Sequence, residues 1–375
     1  MVVRLNPAVR LIPPSEVSGE QWVAENLLER KRYRISPAAA AALVAANRPQ
    51  KQQDLAKRLM EISDNESGDS WERLIVSLCD RGLIVQAASI RDDPQLAWLV
   101  ALRRNWSRFG WHEAAEYHLL SYDYPCIDYS EAVAFLTDQA RMREYQTTEP
   151  DADRYKLDYV DRPATTLPEP TVQLPTAGAD AAWSGTVTPV AVDASTLSTV
   201  LSLTFGQTGT LVPRTDSAPL LRRTSPSGGG RHPSEGYLAV LDVPGLDNGW
   251  HHVTMKPFSL RRLDLPPPDD VLGELFPETV ERFPFPARAL LVVTSVFERN
   301  MYRYREPRTF RTVHMDAGHL AGTAWIAARS CGLTAGIYYC DHAPRIEAAL
   351  GLDGMEEGYM LTVAIADGVT TGRPS

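Results

Sequence analysis

The chain has 375 residues, enough for two domains at roughly 100–200 residues each, and 44% of them are hydrophobic, which allows a buried core. A net charge of −9 argues against a general nucleic-acid binder. The longest apolar runs, such as 289–297, fall far short of the ~20 residues of a membrane helix, and the N-terminus shows neither an apolar signal core nor a small-residue cleavage site. A cytoplasmic protein without membrane partners is expected. The cysteines Cys79, Cys126, Cys331 and Cys340 form no C-x-x-C pair, so reduced thiols and no metal site are expected.

In chain order, a helical module comes first. Ser36-Pro37 predicts a helix start, because serine caps free N–H groups and proline fits the first turn. The alanine-rich stretch to Asn47 follows. Gln50–Ile62 predicts a second helix with Leu55, Leu59 and Ile62 along one side. Ser70–Arg81 predicts a third, with Trp71, Leu74, Ile75 and Leu78 at helical spacing. Gly82 stops it, and Leu83-Ile84-Val85 reads as a short strand. Three helices and a strand suggest a winged-helix-like unit, but one lacking the basic recognition helix that DNA binding needs. Residues 93–145 add aromatics and helix formers, giving a first domain over 1–146. Prolines at 150, 163, 168, 170 and 175 mark 147–180 as a linker.

Residues 181–375 alternate helices and strands. Asp193 caps a helix with Leu197, Val200, Leu201 and Phe205 on its apolar face. Tyr237–Val243 and Ala289–Phe297 read as strands, the second buried on both faces. Met315–Cys331 reads as a long helix stopped by Gly332. Leu333–Tyr339 and Tyr359–Ala366 are further strands, with a helix capped near Asp341 between them. The fold class is α+β with a central sheet.

The chemistry-bearing segment is Arg222-Arg223-Thr224-Ser225-Pro226-Ser227-Gly228-Gly229-Gly230-Arg231-His232-Pro233, just ahead of a strand. Successive glycines let backbone N–H groups approach a planar or anionic ligand, the serines add donors, and the arginines add charge. The bland reading is a flexible polar loop. It is neither a Walker loop, lacking G-K-[ST], nor a dinucleotide fingerprint, which needs a different strand–helix context.

This segment, continued by Ser234-Glu235-Gly236-Tyr237, resembles the flavin-contacting segment of SagB-type dehydrogenases in the nitroreductase superfamily. Further matches keep the family's order: Gly249-Trp250-His251-His252 with Leu260, Met315-Asp316-Ala317-Gly318-His319, and Gly332-Leu333 followed by Leu350-Gly351-Leu352. Trp106, Gly110 and Tyr117-His118 resemble the region preceding the catalytic domain. The resemblance implies a nitroreductase-like central sheet flanked by helices, behind a winged-helix-like N-terminal domain. It also implies a homodimer with FMN at the subunit interface and oxidation of thiazoline or oxazoline rings to thiazole or oxazole in a modified precursor peptide. A cyclodehydratase is the implied partner. The cofactor-binding positions carried over are Arg223, Ser225, Pro226, Ser227, Gly228, Gly229, Arg231, Gly318 and His319, the last two expected at a helix start where anions are attracted.

Two departures qualify the resemblance. The family's Lys-Tyr pair for proton transfer falls, after a one-residue insertion, on Arg303-Tyr304. Arginine stays protonated, so Tyr304 is the expected base and Arg303 its electrostatic partner. The arginines that usually grip the FMN phosphate are absent from 179–185, leaving Arg222, Arg223 or Arg373 to compensate. A flavin-free scaffold in a peptide-modifying complex is therefore the alternative, and a DNA-binding regulator a third reading. His251 and His252 should face opposite sides of a strand, which makes them a poor metal pair.

Overall fold

The structure is a computed structural model. It describes the chain apart from residues 17, 63–67, 123, 125–126, 129, 170–186, 213–219 and 370–375. Two compact units are present, Met1–Tyr124 and Pro125–Ser375.

The first unit runs β1 (Val2–Leu5), β2 (Val9–Ile12), β3 (Trp22–Asn26), β4 (Lys31–Ile35), α1 (Pro37–Ala45), β5 (Gln50–Lys51), α2 (Gln52–Ile62), α3 (Gly68–Asp80), β6 (Ile84–Gln86), α4 (Ser89–Asp92), α5 (Pro94–Ser107) and α6 (His112–Ser121). The Ser36 side chain accepts from the Ala39 N–H, the cap expected from the sequence. Leu43, Leu55, Leu59, Trp71, Ile75 and Leu78 close a core against Val3 of β1, the central strand of the β5-β1-β6 sheet. The strands of the first 35 residues are an addition to the sequence reading. β2, β3 and β4 form an antiparallel meander in which Glu25 holds Arg10 and Arg32 at 2.6 and 2.8 Å across both neighbours.

The second unit begins with α7 (Ala132–Thr148), β7 (Ala164–Thr165), α8 (Ala194–Phe205), β8 (Gln207–Leu211) and β9 (Leu220–Arg223). A 3-10 turn over Gly228–Gly230 leads into β10 (Ser234–Val240), β11 (Gly249–Met255), β12 (Phe258–Arg262), α9 (Pro268–Leu275), α10 (Pro277–Arg282) and β13 (Ala289–Val296). The unit closes with α11 (Glu298–Met301), α12 (Thr309–Ser330), β14 (Thr334–Tyr338), α13 (Ala343–Leu350) and β15 (Glu357–Ala366). The expected α+β central sheet is a seven-stranded antiparallel sheet in the order β14-β15-β13-β10-β11-β12-β7. Alternation along β10 explains its burial on both sides. Leu238 and Val240 pack with α8 and α12 (Leu197, Phe205, Ala321, Ala324), whereas Tyr237 and Ala239 pack with Trp250, Phe276 and Ile346. No helix among the described residues is long and apolar enough to cross a membrane.

Two expectations change. The first domain was drawn to 146, but α7 belongs with the second unit. The physical reason is electrostatic and aromatic: Asp138 pairs with Arg303 at 2.5 Å, and Arg305 lies 3.9 Å from the Tyr145 ring centroid. The long helix also starts at Thr309 rather than Met315. Gly318 and His319 consequently lie within the helix, where their N–H groups are not the free donors of a helix start.

Candidate functional site

The glycine-bearing loop and α12 come together. β9 ends at Arg223 and delivers the loop against the N-terminal half of the helix. The Ser227 hydroxyl donates to Asp316 Oδ2 at 2.6 Å, and the Gly228 N–H donates to Asp316 Oδ1 at 3.0 Å. Burial raises the Asp316 carboxyl above its ordinary value, while these two donors and nearby His319 pull it back. His232 closes the loop, its N–H donating to Ser227 Oγ at 2.8 Å and its Nε2 lying 3.1 Å from the Leu221 carbonyl.

The loop glycines are needed for a reason other than ligand approach. A Cβ on Gly228 would lie 2.1 Å from Thr312 Cγ2, and one on Gly229 would lie 2.1 Å from the Tyr304 hydroxyl. Gly229 also has φ +63°. Three stretches singled out by sequence thus converge: the loop, the Arg303-Tyr304 segment and α12. Their inner contact is tight. The crevice bounded by Arg223, Ser225, Ser227, His232, Asp316 and Leu320 holds about 10 Å³, barely a water. Pro226, which also lines this crevice, is exposed, as are Gly229, Gly318 and His319.

Beneath the loop lies a buried charge cluster. Arg223 is 9% exposed and one of its terminal nitrogens has no hydrogen-bond partner. Burial pulls its pKa down to about 10, assisted by Arg299 and opposed by Glu235. Glu235 is fully buried, with Arg299 NH1 2.5 Å from its Oε1 and His252 Nε2 3.2 Å from its Oε2. The Arg299 approach is an ion pair off the hydrogen-bond line, since Glu235 Oε1 has no hydrogen-bonded partner. Although burial alone would raise the Glu235 pKa, Arg299, His252 and Arg223 hold it at about 2. His252 faces this cluster; His251, next in β11, points to the opposite side, where burial lowers its pKa to about 4. His232 is likewise lowered to about 4, by burial and then by Arg223.

The stretch expected as a linker begins as a strap. Arg305 pairs with Glu149 at 3.0 Å, Arg231 with Asp151 at 2.6 Å, and Arg299 Nε donates to the Asp153 carbonyl at 2.7 Å. Lys156 donates to the Tyr237 hydroxyl at 2.8 Å and pairs with Glu357. Residues 149–156 thereby set a carboxylate against the buried Arg231 and a carbonyl against the buried Arg299, contacts a free linker does not make.

Each expected site residue has a definite place. Ser225 donates to the Thr204 carbonyl at 3.4 Å, Ser227 is held by Asp316, and Arg231 by Asp151, so these donors are already engaged within the chain. Arg303 gives its charge to Asp138 and lies 5.1 Å from the Tyr304 ring centroid. That pairing reduces the field it presents to the hydroxyl. Arg373 and residues 179–185 lie outside the described residues. Glu235, Arg299, Asp151 and Asp316 were missed as site residues. A glutamate in a strand that is apolar on both faces was the available signal for Glu235.

Residues 187–368 match the family model of the nitroreductase family. This chain carries a nitroreductase-family domain. Over 145 residues the chain is 30% identical to the trifolitoxin-processing protein TfxB of Rhizobium leguminosarum bv. trifolii, covering 37% of this chain and 38% of TfxB. Over 113 residues it is 33% identical to MJ1384, named as a nitroreductase, of Methanocaldococcus jannaschii, covering 30% of this chain and 54% of that protein. The matches thus span between about a third and a half of these relatives. A chain of the E. coli microcin synthetase McbBCD complex, solved with truncated pro-MccB17, is similar at 16% identity and a TM-score of 0.40, covering 76% of this chain and 98% of that one. The loop, Tyr304, Asp316 and the buried cluster all lie within the nitroreductase-family domain, while the strap precedes it.

Proposed function

We propose that the protein is an FMN-dependent dehydrogenase that oxidises thiazoline or oxazoline rings to thiazole or oxazole in a ribosomally made, modified peptide. The observation that carries the reading is the convergence at Gly228 and Gly229, which places Tyr304, Asp316 and the loop in one contact. Similarity to a toxin-processing protein supports a peptide substrate.

The residues suit a flavin on the outer side of the loop rather than inside it. Exposed Pro226, Gly229, Gly318 and His319 offer an open surface, and beneath the loop one buried Arg223 nitrogen has no hydrogen-bond partner. Ring oxidation removes a hydride from one ring carbon and a proton from its neighbour. FMN, when bound, supplies the hydride acceptor. Tyr304 receives the proton, and its contact with Gly229 fixes where its oxygen sits. A homodimer that completes the flavin site, and a cyclodehydratase that supplies the azoline, belong to the same reading.

The engaged state of Ser225, Ser227 and Arg231 favours one alternative, a flavin-free scaffold in a peptide-modifying complex. Absorption decides between them. The dehydrogenase is yellow, or becomes so with added FMN, and removes two hydrogens per azoline ring by mass spectrometry. Tyr304→Phe keeps the flavin and loses about 10²–10⁴ in rate. A colourless protein that cannot be reconstituted with FMN leaves the scaffold standing.

A further inference from the structure

Beside the Tyr304–Gly229 contact lies an open groove of about 500 Å³, within the range of small-molecule sites. It is lined by Tyr302, Tyr304, Met301 and Pro307, and by the carboxylates Glu149, Glu298 and Glu306 with the single cation Arg305. The charges do not cancel. Arg305 is neutralised by Glu149 at 3.0 Å, and Glu306 meets Arg308 only at 3.9 Å. Glu298 is exposed. The half-buried Tyr304 ring completes a wall that attracts cations, with Tyr302 buried behind it and already facing Arg231 and Arg305. Met301, 51% exposed at the edge, adds adaptable apolar surface.

From this we infer that the groove is where the substrate peptide docks, and that it selects a segment carrying a lysine or arginine close to the residue being modified. The inference rests on the reading of Tyr304 as the proton acceptor, because Tyr304 is both the groove wall and the group touching the loop. An acidic rim around Tyr304 complements a cationic side chain whose aliphatic stem lies on that ring. It disfavours an acidic peptide by like-charge repulsion.

The test measures binding to the full chain without turnover, using short fluorescein-labelled Gly/Ser peptides with a central leucine and either two lysines, two alanines or two glutamates. The expected order is lysine, then alanine, then glutamate, with the lysine peptide weakened by added salt. The double variant Glu298→Gln/Glu306→Gln should bind the lysine peptide about tenfold more weakly and leave the alanine peptide unchanged. Equal binding of all three peptides, or no binding by any, overturns the inference. So does a dimer mass by light scattering that falls to monomer in Glu298→Lys, because the groove would then be covered by a second copy. Failure of the dehydrogenase reading looks different: a colourless protein that still prefers the lysine peptide retains the groove and loses the chemistry.

Discussion

Glu235→Gln tests the buried cluster most directly. The carboxylate is fully buried, and its partners Arg299 and His252 are 2% and 1% exposed. Glutamine keeps the shape but removes the charge facing Arg299 at 2.5 Å. Arg299 retains its donations to the Asp153 and His232 carbonyls, at 2.7 and 3.2 Å, yet those dipoles do not replace a full negative charge. Breaking a buried pair from one side costs about 3–5 kcal/mol. The depressed Glu235 pKa gives an independent figure: about 2 in the folded chain against 4.5 ordinarily corresponds to about 3 kcal/mol. At roughly 2–4 °C per kcal/mol for a unit of this size, the calorimetric transition of the second unit should fall by about 10 °C. Glu298→Gln, on the surface, should shift it by no more than a degree or two. A Glu235→Gln protein melting with the parent would show that the cluster's charges are screened in solution and refute the reasoning.

Four other outcomes follow from the same geometry. Acid should destabilise the second unit in two windows. The lowered pKa values of His232 and His251 mean that the unfolded chain takes up protons first, so stability present above pH ~6.5 is lost as pH falls toward about 4, and the lowered Glu235 pKa removes more between 4.5 and about 2. Urea melts at stepped pH check both windows. Gly229→Ala should displace Tyr304, since the new Cβ meets its hydroxyl at 2.1 Å and φ is +63°; turnover should collapse while circular dichroism stays native. Gly318→Ala has open space around its Cβ and lies inside α12, so the protein should gain about 0.5–1 kcal/mol while FMN titration shows weaker binding if the ring lies on that face. Asp151→Asn should leave Arg231 without its carboxylate and speed proteolysis within 149–160, read by mass spectrometry of limited digests.

Local rules carried the sequence reading where the chain's own neighbours decide the outcome. Ser36-Pro37 caps α1, Asp193 forms a capping box with Thr196, and the continuous apolar run of β13 lies inside the sheet between β15 and β10. The strap was not legible. A proline-bearing polar stretch reads as a linker, and the arginines that claim Asp151 and Asp153 lie 80 and 146 residues further along. The start of α12 is not marked in the sequence by a capping side chain: Arg308 occupies the cap and makes no side-chain capping bond. Motif spacing located the loop and the G-H stretch. It gave no hint that Asp316, two residues ahead of Gly318, is the one that ties them together.

The glycine run shows how one pattern can have two causes. Close approach of a ligand and close approach of a protein side chain both exclude a Cβ, and a sequence cannot tell them apart. Here Gly228 yields to Thr312 and Gly229 to Tyr304. The glycines therefore position the proposed proton acceptor from inside, whatever lies on the exposed side of the loop. A flavin on this domain would use the exposed surface, because the inner crevice, walled by Arg223 itself, has room for little more than a water. The same packing makes Tyr304 common to the loop and the acidic groove, so displacing it should disturb cofactor-side and peptide-side behaviour together, whereas neutralising Glu298 and Glu306 should disturb the peptide side alone.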